Sequence, residues 1–144
     1  MITGVLEPLR AGRPVSFRPP GWDNDVREGR IEVPADLSAV IIEGVGVARR
    51  SLAPLVDVTI WVQSDYVEAK RRGTRRDIAQ WGRTEEEASR LWDEWEAEEV
   101  PFLQDDQPWH RAHVIVGTST PLPHDPETEV VVSRGGIPSP PAAT

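Results

Sequence analysis

The 144-residue chain has no cysteine. Disulfides and thiolate metal sites are therefore excluded, and a reducing compartment is compatible with the composition. The N-terminal residues Met1 to Leu6 lack a basic region followed by a long apolar core, so they do not read as a signal peptide. No apolar run approaches the roughly 20 residues that a membrane helix needs. No Gly-x-Ser-x-Gly step marks a hydrolase nucleophile. His110 and His113 are three apart but lie at the entry to a strand with no third ligand at fitting spacing, so no metal site is expected from histidine. There is no internal repeat. Together these absences predict a soluble, cytoplasmic protein with no membrane contact.

What is present begins with charge. Twenty-four acidic residues against 16 Lys and Arg leave a formal net charge of −8. Against that background Lys70, Arg71, Arg72, Arg75, Arg76 and Arg83 fall within one short stretch. A long nucleic-acid backbone would be repelled by the rest of the surface. A small phosphorylated ligand needs only a few guanidinium groups, which grip phosphate oxygens bidentately. On a helix Arg72, Arg75 and Arg76 share a face, where they repel one another unless anions are supplied. The acidic stretch Glu85 to Glu99 is an alternative supplier. Phosphate binding and a solvated ion-pair network both remain open.

The regular elements follow from pattern. A short helix is expected over Gly4 to Ala11, and an irregular Pro/Gly-rich excursion over 12–36 with a short strand near Arg30 to Val33. Apolar runs at Ala39–Ile42, Val58–Val62 and Val114–Val116 read as buried parallel strands. A short helix is expected around Arg49 to Leu55. Asp65 with Glu68, and Thr84 with Glu87, have capping-box spacing and open two more helices. Gly73 costs the first of them about 1 kcal/mol, so a bend or an end is expected there. Ala88, Leu91, Trp92, Trp95 and Phe102 fall near one face of the second. Strands alternating with helices predict an α/β fold, a parallel sheet flanked by helices. Six of the 14 prolines lie in the last 24 residues, so 119–144 reads as a mobile tail in which Glu129 to Val132 can add an edge strand.

Two further constellations stand out. Glu43 closes the Ala39–Ile42 run and precedes Gly44-Val45-Gly46; at the carboxyl end of a parallel strand it would face the ligand crevice and hold Mg²⁺ or a substrate hydroxyl. A capping carboxylate beside a tight turn is the alternative. Trp22-Asp23 pairs a stacking surface with an acceptor, or else pins the long loop.

Taken in order, these segments resemble the C-terminal two-thirds of the uridine-kinase-like P-loop kinases, relatives of phosphoribulokinase. The likeness rests on Leu6 to Pro14, Pro20-Gly21-Trp22-Asp23, Val40-Ile41-Ile42-Glu43-Gly44, Asp57 to Val62, Arg72 to Arg83, Trp92, Trp95, Glu99 and Ala112 to Gly117. The resemblance implies a partial domain over 1–118, with an acceptor segment at 12–36 and a lid at 70–83. It implies ATP-dependent phosphoryl transfer, with Mg²⁺, to a nucleoside or similar small hydroxyl acceptor. Arg72, Arg76 and Arg83 would be lid cations and Asp77 would orient them. Trp22 and Asp23 would touch the acceptor, and Glu43 would lie near the metal or the acceptor hydroxyl. The family's N-terminal strand, its glycine-rich loop with Gly-Lys-Ser/Thr and the following helix have no counterpart, so this chain alone is not expected to be a competent kinase. The missing strand would leave an open sheet edge, through which self-association is expected. The rival expectation is a non-catalytic nucleotide- or phosphate-binding or interaction module.

Overall fold

Asp65 and Thr84 both open helices in the computed structural model, which describes residues 2–24, 27–118 and 120–134. The chain divides into two compact units, Met1–Asp57 and Val58–Thr144, where the sequence suggested one unit over 1–118.

In the first unit a π-helical turn over Ile2–Leu6 runs into the helix α1 (Glu7–Arg10). Pro8 sits in its first turn, where a missing N–H costs nothing. The strand β1 (Val15–Phe17), the short helix α2 (Gly21–Asn24) and the strand β2 (Ile31–Val33) follow. β1 and β2 pair antiparallel, Val15 opposite Val33 and Phe17 opposite Ile31. The Pro/Gly-rich excursion is thus the connection of a two-stranded ribbon. Val5, Leu6, Val15 and Leu52 are the buried apolar residues of this first unit.

Two expectations fail here. Ala39–Ile42 forms no strand, and Ile41 is 93% exposed. An apolar run becomes a strand only when a neighbour accepts its backbone hydrogen bonds, and no strand among the described residues pairs with it. The helix expected around Arg49 to Leu55 shrinks to turns and a 3₁₀ turn over Ala53–Leu55.

The second unit holds the strand β3 (Ile60–Gln63), the helices α3 (Tyr66–Trp81) and α4 (Glu85–Asp106), a 3₁₀ turn over Pro108–Arg111, and the strands β4 (Val114–Gly117) and β5 (Val131–Arg134). β4 lies between β3 and β5. β3 is parallel to β4, with Val62 opposite Val116, and β5 is antiparallel, with Val132 opposite Val116. The architecture is mixed α/β, and its sheet is mixed rather than parallel throughout. The last strand lies inside the stretch read as a tail, after turns and loop over 120–130; Ser119 and residues 135–144 of that stretch lie outside the described residues.

The Asp65 side chain accepts from the Glu68 N–H, and Gly82 ends α3 in the left-handed region at φ 63°. At the start of α4 the box is reciprocal, with Thr84 and Glu87 satisfying each other's backbone. α3 neither bends nor ends at Gly73. That glycine is buried, and a Cβ placed there would lie 2.0 Å from Cζ3 of Trp92. Tyr66 bonds Glu96 and Lys70 bonds Asp93, so the two helices run antiparallel through this point. A glycine that looks like a breaker is the gap into which Trp92 fits.

Candidate functional site: the arginine-rich face of α3

Because α3 is continuous, Lys70, Arg71, Arg72, Arg75 and Arg76 occupy successive turns of one helix, and Arg83 follows just past its end. Three carboxylates hold them. Glu68 takes a two-toothed hydrogen bond from Arg71, at 2.8 and 2.6 Å, and lies 3.5 Å from Arg72. Asp77 lies 3.1 Å from Arg76 and 3.4 Å from Arg83. Asp93 of α4 pairs with Lys70. Arg75 is in no salt bridge among the described residues, although its charge is felt at Glu68.

The electrostatics agree with this geometry. The Arg71 hydrogen bond, with the nearby guanidinium charges, holds the Glu68 carboxyl below the usual carboxylate range. Asp93 raises Lys70 and Glu68 raises Arg71, so both cations are secured in their charged forms. Lys70 is the only lysine in the chain, and it is tied to Asp93 on a helix rather than free in a loop.

Asp77 is mostly covered, its side chain 17% exposed, whereas those of Arg72 and Arg76 are more than half exposed. A covered carboxylate holding two cations at their inner edges leaves the remaining N–H donors turned to solvent. Chemically, such a face offers fixed guanidinium forks to an oxyanion.

The other expected site residues belong to the first unit, on different elements from the arginines. Trp22 lies in α2 with the Arg27 guanidinium 4.2 Å from its ring centroid. Asp23 accepts from Arg18 Nε at 2.7 Å, and Arg18 also reaches the Gly29 carbonyl at 2.8 Å. These bonds pin the excursion loop, which was the structural alternative for Trp22-Asp23. Glu43 is exposed in a loop. The strand that would have put it at the edge of a crevice is absent. Among the described residues no group of three or more His, Asp and Glu gathers as a metal set, around Glu43 or elsewhere. The described residues do not gather a set that fits Mg²⁺; the arginine face presents guanidinium groups of the kind that grip oxyanions. His113 is a structural residue: its Nδ1 accepts the Thr59 N–H at 3.0 Å.

One feature has no forewarning in the sequence. Trp61 and Trp109 meet edge to face, 5.7 Å between ring centroids, and with Gln63, Val100, Leu103 and Gln104 line an open groove of about 350 Å³. Its two tryptophans are 48 residues apart in sequence, and the parallel pairing of β3 with β4 brings them together.

Compared with known protein families, with curated proteins and with solved structures, the chain finds no match in any of the three.

Proposed function

We propose that the chain binds the phosphate groups of a nucleotide, or of another small phosphorylated molecule, on the arginine-rich face of α3, and that these 144 residues bind without turnover. The observation that carries this reading is the imbalance at the face: six cations between residues 70 and 83 share three carboxylates, and Arg75 is in no salt bridge among the described residues. A self-neutralising surface network would bring as many acids as bases. Glu68 and Asp77 act as positioning groups, limiting the side-chain entropy lost when an anion arrives.

The resemblance to uridine-kinase-like enzymes favours a second reading, an ATP-dependent phosphotransferase acting on a nucleoside hydroxyl. There Arg72, Arg76 and Arg83 would close over the phosphates, while Trp22, Asp23 and Glu43 would meet the acceptor. That reading needs a glycine-rich loop bearing lysine, a motif that does not occur in these 144 residues.

Calorimetric titration with ATP and with pyrophosphate, at low ionic strength and without metal, separates the possibilities. Binding that weakens with salt and falls at least about tenfold in Arg72→Ala/Arg76→Ala, roughly 1.4 kcal/mol, supports phosphate recognition. Equal heats for parent and variant would mean that the cluster is only a solvated network. With Mg²⁺ then added, release of ADP from ATP in the presence of nucleosides would instead favour the phosphotransferase.

A further inference from the structure

The last turn of α3 carries a second kind of group beside its cations. Trp81 is the final residue of the helix and stands 68% exposed. Among the described residues it is in no ring–ring or cation–π contact, although the helix it closes is rich in guanidinium groups. The other tryptophans of this unit are paired: Trp92 seats against Gly73 and meets Trp95, and Trp61 meets Trp109. An indole left open to water gives up most of the stabilisation that its burial would supply.

The path of the chain places that indole next to two of the arginines. Residues four apart on a helix are neighbours, with Cβ atoms about 5–6 Å apart, so Asp77 lies beside Trp81 one turn earlier. Gly82, left-handed at φ 63°, reverses the chain, and Arg83 returns to Asp77 at 3.4 Å. Arg76 reaches the other oxygen of the same carboxylate at 3.1 Å. One carboxylate thus holds two guanidinium groups about a turn away from an open aromatic surface. Glu85, Glu86 and Glu87 open α4 just beyond, so the Trp81 side disfavours an anion. What suits this end is an uncharged ring, joined to the anion that the arginines take.

We infer that Trp81 is the base-stacking residue of the arginine-rich face, so that the face selects a nucleotide: the base lies on the indole and the phosphates lie on Arg76 and Arg83. The inference rests on the phosphate-binding reading above and narrows it, because an inorganic phosphate or a sugar phosphate has no flat aromatic face to offer. Every base has such a face, so stacking on one indole favours nucleotides as a class without choosing among bases. The ribose between base and 5′-phosphate bridges a gap of about one helical turn, ~5 Å, which is the separation of Trp81 from Asp77 and its two arginines.

Calorimetric titration of the full chain with ATP and with tripolyphosphate, at low ionic strength and without metal, tests the inference. Tripolyphosphate carries at least the charge of ATP, so a face that reads charge alone binds it as tightly. The expected result is ATP bound about 5- to 100-fold more tightly than tripolyphosphate, the worth of one base–aromatic stack. Trp81→Ala should remove that advantage and leave the tripolyphosphate affinity unchanged, while Trp81→Phe should keep most of it. The position is exposed, so both variants should keep the far-ultraviolet spectrum of the parent, and the comparison of the two ligands on the parent needs no variant at all. Three results would overturn the role of Trp81 while leaving phosphate binding intact: ATP bound no more tightly than tripolyphosphate, an advantage that survives Trp81→Ala, or an equal loss of both ligands in that variant. Binding of neither ligand would overturn the phosphate reading itself, and the inference with it. A single-stranded oligonucleotide, the other source of stacking bases, should bind more weakly than ATP, because the acidic remainder of the chain repels its backbone. Tighter binding of the oligonucleotide would overturn the assignment to a free nucleotide.

Discussion

Replacing Gly73 by Ala sets two known effects against each other. In an isolated helix the change stabilises by about 1 kcal/mol, because glycine loses more backbone freedom than alanine on folding. In this molecule the new methyl would lie 2.0, 2.7 and 2.9 Å from three carbons of the Trp92 ring. Ordinary carbon–carbon contact begins near ~3.5 Å, so the ring or the helix must retreat by roughly 1.5 Å. Trp92 has little room to do so, because Trp95 meets it edge-on with ring centroids 5.2 Å apart. Overpacking of this kind costs about 1–3 kcal/mol, and a clash this close belongs near the upper end. The expected net result is a loss of about 2 kcal/mol, or a fall of roughly 8–16 °C in Tm for a unit of this size. Urea unfolding followed by far-ultraviolet circular dichroism measures it. The same substitution in a Trp92→Leu background should be neutral or stabilising, because the clash is gone and the propensity gain remains. A Gly73→Ala chain as stable as the parent would refute the close helix–helix approach itself.

Thr84→Ala removes the side chain that accepts the Glu87 N–H and leaves half of the reciprocal box unmade; a loss of about 1 kcal/mol is expected in the same unfolding experiment. Glu99 gives a pH signature. Burial raises its carboxyl above the usual range, so its uncharged form is favoured in the folded chain. That contribution is present below the ordinary carboxylate pKa and is lost as pH rises through the raised value. Glu99→Gln should therefore be more stable than the parent at pH 7 and no different near pH 4. The opposite order at pH 7 would mean that the charged carboxylate has a favourable partner.

The parts of the fold legible in the sequence are those set by local chemistry. Asp65 and Thr84 announce two helix starts because a capping side chain and its target N–H are three residues apart. The β-branched runs at Val58–Val62 and Val114–Val116 mark β3 and β4 to within a residue or two. Ala39–Ile42 has the same composition and fails, since a strand also needs a neighbour and composition does not report one. Gly73 was legible as a weak helix former but not as a seat for Trp92, which is 19 positions away in the chain. At the candidate site the charge cluster is plain in the sequence, whereas the pairing of two arginines to Asp77 depends on the turn at Gly82. The Trp61–Trp109 groove depends on strand register, a long-range property.

The parallel pairing of β3 with β4 also has a kinetic side. Thr59 and His113, which bond at the mouth of this pair, are 54 positions apart. Closing an unstructured loop of that length costs about 3.5 kcal/mol of chain entropy before any contact repays it. The antiparallel helices α3 and α4, joined by only residues 82–84, gather most of that length through local contacts. Once the hairpin has formed, the ends of β3 and β4 start close together and the remaining search is short. The topology predicts that the helices meet first around Gly73 and Trp92 and that the parallel ladder closes afterwards.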